Sequence, residues 1–214
     1  MKLINPRYLL SFAFVITLLN ACVQDKPKNS EADKSSGIQP KVEAKSTYAA
    51  VNTWLDDFKN FRTAVYQQDV QQMKTYFNFP IFADTTQVWV AIYDNVDESK
   101  RPQTYPATFT EADLEKQHGK LFNDAFVQSL LKVKSEQLYQ KGEYTTPVIK
   151  AGDQSFHMIA HYDKATASLQ LSLMFAGWTD KNGEEMSEGE SAIIYFFKVV
   201  EYKYLKFDKI LFAG

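Results

Sequence analysis

Apolar residues recur at helical spacing in the first part of the region after residue 47. The stripe predicts one long amphipathic helix from about Tyr48 to Gln67, with one face on a core. Its apolar members are Val51, Trp54, Leu55, Phe58, Phe61 and Val65. Asp69 followed by Gln72 has the spacing of a capping pair, so a short second helix should begin there. This part of the chain is therefore predicted to be helical.

The segment QVWVAIYD at residues 87–94 alternates between two apolar faces. A strand that is covered on both sides has this pattern, so a buried strand is predicted here. Thr110, with Asp113 three residues later, is the N-cap of a predicted third helical region. Gly119 lies inside that region and is the candidate point at which it divides in two.

Strand patterns dominate after residue 150. Apolar and polar residues alternate through 156–162 and 169–175, and SAIIYFFKVV and YLKFDKILF predict the last two strands. Asn182-Gly183, between the second and third of these segments, is a strong hairpin signal. Helices thus come first and an antiparallel sheet follows. The pattern predicts an α+β fold in which N-terminal helices pack on a curved antiparallel sheet.

The first two dozen residues follow a separate pattern. Lys2 and Arg7 accompany the apolar run YLLSFAFVITLL, which has the length of a signal-peptide core and falls short of the ~20 residues that span a bilayer. The stretch LNAC, which ends at Cys22, then resembles the lipobox of bacterial lipoproteins. The resemblance implies that residues 1–21 are a lipoprotein signal peptide, cut between Ala21 and Cys22.

The same resemblance implies covalent lipid on Cys22, the only cysteine in the chain. A diacylglycerol would be thioether-linked to its sulfur, and its new amino group would be acylated, for example with palmitate. Two or three acyl chains anchor a protein durably. Val23 follows where an aspartate would resemble an inner-membrane retention signal, so the periplasmic face of the outer membrane is predicted, with that of the inner membrane as the alternative. A leftover thiol or an intermolecular disulfide is the other interpretation of Cys22.

Composition separates a tether from a globular domain. Residues 22–47 contain no aromatic residue, so we predict a flexible tether with an r.m.s. span of roughly 25–30 Å. Residues 48–214 are predicted to form a single α+β globular domain. That domain holds 17 Lys and Arg residues against 22 Asp and Glu residues. The excess of negative charge favours a basic partner and disfavours nucleic acid.

The globular region is similar in its order of elements to the nuclear-transport-factor-like, cone-shaped superfamily of α+β domains. The similarity rests on a long first helix followed by QQDVQQMKTYFNFPI, FTEADLEKQHGKLF and a terminal FDKILFAG. It implies a hollow between helix and sheet, which in some members houses isomerases or dehydratases built around Asp, His and Tyr. Glu201-Tyr202 stands where glycine is common in the last hairpin, which leaves its register open. A cystatin-like fold is the alternative.

Catalytic signals are few. Asp84, His157 and His161 are the candidate parts of an acid–base site, but two strand residues four apart are ~13 Å apart, so the histidines are interpreted as surface or half-buried strand residues. His118 is interpreted as a helix-end residue. The chain has no G-x-S-x-G, H-E-x-x-H, P-loop or G-x-G-x-x-G sequence, and its acidic stretch NGEEMSEGE lacks the order of a calcium loop. We therefore predict no catalytic residue, no metal site and no cofactor beyond the lipid.

The leading hypothesis is a non-enzymatic, lipid-anchored periplasmic domain that binds a protein through its sheet or loops. Aromatic residues beside acids suit such a surface, so the candidate partner-binding residues are Trp178, Glu184, Glu185, Tyr202 and Tyr204. One specific version is an immunity-type lipoprotein that neutralises a basic toxin. The alternatives are a small-molecule-binding protein or an isomerase-, dehydratase- or hydrolase-like enzyme with a cone pocket, and a structural role in the envelope.

Overall fold

Helices precede the main sheet along the chain, as the hydrophobic pattern predicts. The computed structural model describes residues 48–214 except 95, 153, 177, 180–184 and 187–189, and describes 178–179 and 185–186 by their backbone alone. The helices are α1 (Trp54–Gln67), α2 (Val70–Lys74), α3 (Val88–Tyr93), α4 (Glu111–Leu121), α5 (Asp124–Lys132) and α6 (Ser135–Lys141). A 3-10 turn covers Glu98–Lys100.

An antiparallel sheet follows the helices. The strands are β1 (Ile81–Phe82), β2 (Thr108–Phe109), β3 (Glu143–Thr145), β4 (Ile149–Ala151), β5 (Gln154–Asp163), β6 (Ser168–Phe175), β7 (Trp178–Thr179), β8 (Glu185–Met186), β9 (Ser191–Val200) and β10 (Tyr204–Ala213). The main sheet has the order β10-β9-β6-β5-β3, and β4 also pairs with β5. Two small pairs, β1 with β2 and β7 with β8, lie outside it. The fold is α+β, which confirms the predicted class.

The first helix is shorter than its apolar stripe predicts. It begins at Trp54 because the Asp56 carboxylate accepts the backbone N–H groups of Thr53 (2.9 Å) and Asn52 (3.1 Å) and closes the N-terminus there. The preceding residues run beside the helix, where Ala49 exchanges two hydrogen bonds with the buried side chain of Asn60. The predicted start at Tyr48 is therefore wrong by about one and a half turns.

The predicted strand at 87–94 is a helix. Val88, Trp89, Ala91 and Ile92 of α3 are buried, and the helix contacts both α4 and β10. A short run of almost entirely apolar residues fits a buried strand and a buried helix equally well, because it has no polar positions that would mark a period of two or of 3.6 residues.

The predicted third helical region is divided into α4 and α5 by a helix N-cap and not at Gly119. Thr110 and Asp113 form the predicted box at the start of α4. Gly119 stays inside α4, and the break falls at Asn123, whose side chain accepts the Phe126 N–H at 2.9 Å and starts α5. The second helix begins as predicted, since Asp69 accepts the Gln72 N–H at 3.0 Å.

The core lies between the helices and one face of the sheet. The alternation of β5 is confirmed, because Phe156, Met158 and Ala160 are buried. In β6, Leu169, Leu171 and Leu173 are buried as predicted, but Ser172 between them is buried too and Phe175 is only half-buried. Phe61 of α1 is completely buried and its ring lies 5.0 Å from Phe197, 5.1 Å from Tyr76 and 5.7 Å from Phe122, between ring centroids. Aromatic rings therefore pack the interface between α1 and β9.

Groups from the helical part of the chain accept hydrogen bonds from the outer edge of β10. Its backbone N–H groups bond to the Asp57 carboxylate (from Leu205, 2.7 Å), the Tyr76 carbonyl (from Phe207, 2.7 Å) and the Thr86 hydroxyl (from Ile210, 2.8 Å). An uncovered edge strand would invite pairing with another chain. The carboxylate of Asp57 is thus a structural acceptor at a sheet edge.

Candidate interaction surface

The β9–β10 hairpin ends in a turn with strained backbone. Glu201 (φ 53°) and Tyr202 (φ 57°) both lie in the left-handed region, and the Lys203 N–H closes the turn on the Val200 carbonyl at 3.0 Å. A turn with two positive φ values matches the twist of an antiparallel hairpin, and this answers the open question of its register: Val200 pairs with Tyr204. Residues other than Gly, Asn and Asp rarely occupy the two central positions of such a turn.

The turn is held by the first helix. The Trp54 N–H, which has no partner inside α1, donates to the Tyr202 carbonyl at 3.1 Å. Three residues further along α1, the Asp57 carboxylate accepts the Leu205 N–H from the other arm of the hairpin. The hairpin end is therefore fixed to the N-terminal turn of α1.

Aromatic side chains from α1, α6 and β5 meet at this end, where the Trp54 N–H also holds the backbone of Tyr202. The Trp54 ring lies 4.3 Å from the Tyr162 ring and 5.7 Å from the Tyr139 ring, between centroids. Trp54 and Tyr162 are buried, whereas Tyr139 is 43% and Tyr202 is 77% exposed. Burial raises the pKa of Tyr162, and the nearby Tyr202 and Tyr139 hydroxyls raise it further. We call these four residues the hairpin-end cluster.

The structure divides the predicted partner-binding residues between distant places. Tyr202 belongs to the hairpin-end cluster, and Tyr204 is 41% exposed but alternates with buried Leu205, so it points to the outer face of the sheet. Trp178 and Glu185 belong to β7 and β8, which follow the end of β6 where Phe175 pairs with Ser191. That end is ~30 Å from the hairpin turn along β9.

Three predicted residues lie outside the part of the chain that the structure describes. These are Ala21 and Cys22 at the proposed lipidation site and Glu184 in the acidic stretch, and the Asn182-Gly183 turn lies there too. Sequence reasoning missed Tyr139, because a single tyrosine in the polar helix SEQLYQK carries no periodic signal. For Tyr162 and Trp54 the sequence predicts buried faces, which their burial confirms, but it does not predict that their two rings meet.

The structure does not bring the candidate acid–base residues Asp84, His157 and His161 together in one site. His157 is half-buried and His161 exposed on the outer face of β5, and Asp84 is exposed after β1. The His118 ring Nδ1 lies 3.1 Å from the Glu115 carbonyl, in the last part of α4, as a helix-end role predicts. In the described ranges, no group of three His, Cys, Asp or Glu side chains is arranged to hold a metal ion. No helix in those ranges is long and apolar enough to cross a membrane.

Two surface hollows flank Gly119. One of about 270 Å³ lies beside Lys120, Asn123 and Asp124, and one of about 220 Å³ lies beside His118 and Asp124. Gly119 lines both, and a Cβ added there would meet nothing within 4 Å. The fold therefore does not require glycine at this position.

Replacing Gly119 by alanine is expected to stabilise the protein by about 0.5–1 kcal/mol, because glycine costs helix stability and the new methyl group has room. Thermal unfolding measures the change. Gly142→Ala is the opposite control and should lower stability, since Gly142 ends α6 at φ 79° and its new methyl group would lie 3.4 Å from the Tyr162 carbonyl oxygen. A loss of stability in Gly119→Ala would contradict the conclusion that a methyl group has room at this position.

Comparisons with family models, with curated proteins and with solved structures found no match to this chain.

Proposed function

We propose that this protein is a lipid-anchored periplasmic domain that binds another protein through the hairpin-end cluster. The observation that carries the proposal is Tyr202, whose side chain is 77% exposed on a strained turn that α1 holds in place. Exposed aromatic side chains on a rigid support supply most of the affinity in many protein interfaces. Strained backbone is found most often where function maintains it.

The packed interior supports a binding role. Rings from the helices and the sheet contact one another where a cone-shaped enzyme would have its hollow, and the Tyr195 and Phe126 rings are 4.3 Å apart there. Asp57, a buried carboxylate at the outer edge of β10, accepts from the Leu205 N–H and lies 3.4 Å from the Tyr76 hydroxyl. A catalytic carboxylate needs a path to substrate, whereas Asp57 is only 6% exposed.

The proposed location rests on the N-terminal sequence. The lipobox-like LNAC predicts a lipid-modified Cys22 at the start of the tether, on the periplasmic face of the outer membrane. The acidic balance of residues 48–214 suits a basic partner. An immunity-type role, in which the anchored domain captures a basic toxin near the membrane, combines these features.

A pull-down tests the proposal. Envelopes are treated with a reversible crosslinker and solubilised in detergent, and the chain is recovered with its partners. The parent should bring down one partner in constant proportion, and Cys22→Ser should lose it because the unanchored domain leaves the membrane. Tyr202→Ala should weaken capture about tenfold, as for an interface hot spot.

The matched control is Phe82→Ala, which removes an aromatic side chain that is 58% exposed in β1, outside the hairpin-end cluster. It should capture as much partner as the parent. If Tyr202→Ala captured as much partner as the parent, binding would have to occur at another surface. If neither the parent nor any variant captured a protein, the proposed partner binding would be contradicted.

A small-ligand function is the second candidate, and the two hollows beside Gly119 favour it. Their lining mixes polar and apolar groups, and their modest volumes fit a small molecule better than a large one. Binding at this place should fall in Gly119→Ala while folding stability rises, which separates loss of a ligand site from loss of structure.

A further inference from the structure

A groove of about 380 Å³ runs along the outer side of α1. Its lining comes from four α1 residues about one turn apart and from the α5–α6 junction: Lys59, Arg62, Thr63, Tyr66, Leu131 and Ser135. We call it the α1 groove. It lies on the helix face away from the buried residues Phe58 and Phe61, so its occupant would touch the domain from outside.

Arg62 at the floor of this groove has no carboxylate partner in the described ranges. Its guanidinium donates to the carbonyls of Val133 (3.0 Å) and Leu131 (3.1 Å) and to the Ser135 hydroxyl (2.7 Å). The buried Nε has no acceptor among the described groups. Burial lowers the pKa of Arg62. Arg62 is half-buried and its guanidinium lies 5.9 Å from the Phe58 ring centroid. A cation that has lost part of its hydration without an anion nearby is costly, and an anion supplied by a ligand would offset part of that cost.

The charges around the groove are mainly positive, against the negative balance of the domain. Lys59 is 44% exposed and its Nζ lies 2.6 Å from Glu136. Lys132 and Lys134, both exposed, adjoin the lining residues Leu131 and Ser135 in the chain. An anion in the groove would therefore meet Arg62 and Lys59, with Lys132 and Lys134 on the neighbouring surface, and would compete with Glu136 for Lys59.

The rim of the groove combines apolar and hydroxyl groups. Tyr66 is 63% and Leu131 is 40% exposed. Thr63 and Ser135 contribute hydroxyls, and Ser135 accepts from Arg62, which leaves its own proton to donate. Amphipathic tyrosine beside cations is typical of the level of lipid headgroups at a membrane surface.

The first described residues of the domain run along α1, the helix that supplies most of the groove's lining. Ala49 is hydrogen-bonded in both directions to Asn60, the neighbour of Lys59, and Tyr48 donates to Asp69 at 2.6 Å, three residues beyond Tyr66. On the proposed anchoring at Cys22, the chain enters the domain along α1, which makes this side a candidate to meet lipid headgroups. The hairpin-end cluster lies at the other end of α1 and remains open to a partner.

We propose that the α1 groove binds the phosphate of an anionic phospholipid headgroup and holds the domain against the membrane beside its tether. The inference rests on the anchoring part of the proposed function. The phosphate oxygens would accept from Arg62, Lys59 and the Ser135 hydroxyl, while the glycerol and first acyl carbons would contact Tyr66 and Leu131.

The test uses the full chain carrying Cys22→Ser and lipids that stay dissolved, so that neither an anchor nor a partner is needed. Dihexanoylphosphatidylglycerol, below its micelle concentration, is titrated while NMR follows the side-chain N–H signals of Arg62 and the amides of Thr63 and Ser135. Saturable shifts at these positions are expected. Dihexanoylphosphatidylcholine, with the same chains and no net charge, should shift them much less.

Two exposed variants change affinity in opposite directions. Lys59→Gln should weaken binding about fivefold, whereas Glu136→Gln should tighten it about twofold, because it removes the competing carboxylate. Lys116→Gln, on the exposed surface of α4, is the matched control and should leave binding unchanged. These variants spare Arg62, whose bonds to Val133 and Leu131 contribute to folding.

Each other outcome overturns the assignment. Equal shifts with phosphatidylcholine would mean apolar adsorption, and equally tight binding of inorganic phosphate would mean a site for a soluble anion. Unshifted Arg62 and Ser135 signals would leave the groove without this ligand. Because partner capture is measured separately through Tyr202, failure of headgroup binding leaves that result intact, and the reverse also holds.

Discussion

Phe61→Ala is expected to lower the free energy of unfolding by about 3–5 kcal/mol, the largest effect of any change considered for this domain. Phe61 is fully buried and its ring contacts those of Tyr76, Phe122 and Phe197, which come from different parts of the chain. Removing the ring opens a cavity that these neighbours can fill only in part.

Urea unfolding followed by circular dichroism measures this loss. Phe82→Ala is the control, because it removes the same side chain from an exposed position and should change stability by no more than about 0.5 kcal/mol. A cost below about 1 kcal/mol for Phe61→Ala, with an unchanged dependence on urea, would contradict the packed interface between α1 and the sheet.

Asp57→Ala is expected to cost about 1–3 kcal/mol, because the buried Leu205 N–H loses its acceptor. Asp57→Asn should cost less, since its amide oxygen can still accept that bond. The two variants thus separate the hydrogen bond from the charge, and urea unfolding at neutral pH ranks them. Equal losses in both would show that the Leu205 bond contributes little.

The same carboxylate should make stability depend on pH. Burial raises the pKa of Asp57 above its ordinary value of 3.8. The folded protein therefore binds this proton more tightly than the unfolded chain does. This tighter binding stabilises the fold fully at pH values below 3.8, and the stabilisation is lost as pH rises through the raised pKa. Because asparagine does not titrate, Asp57→Asn should gain stability relative to the parent as pH rises from about 3 to about 6. A constant difference across that range would contradict the raised pKa.

Local hydrogen-bond chemistry was predictable from the sequence. Thr110 with Asp113 and Asp69 with Gln72 cap helices because each pair lies within one turn and needs no tertiary contact. The alternation of β5 likewise depends only on which face is buried. Where the signal is the spacing of a few neighbouring residues, sequence and structure agree.

Other elements depended on contacts that the sequence does not display. The helix α3 is apolar all round, so only its packing against α4 and β10 separates it from a strand. The start of α1 is set by Asp56, inside a stripe whose apolar spacing begins earlier. A Glu201-Tyr202 turn forms although neither residue favours positive φ, because the flanking strands and the Trp54 N–H hold it.

The candidate surface could be predicted only in part. Tyr202 is recognisable in the sequence as an aromatic residue near a predicted turn. The other cluster residues, Trp54, Tyr139 and Tyr162, lie far from it in sequence and meet one another through the packing of α1 and α6 on β5. Trp178 resembles Tyr202 in the sequence because both adjoin turns, but their strands place them at opposite ends of β9.

Photocrosslinking in intact cells tests the proposal that the anchored domain meets a protein partner at the hairpin end. A photoreactive residue is placed at position 202 in one strain and at position 82 in another. We expect one adduct of defined mass from position 202, none from position 82, and loss of the adduct in Cys22→Ser. Equal labelling from both positions, or no protein adduct from position 202, would contradict it.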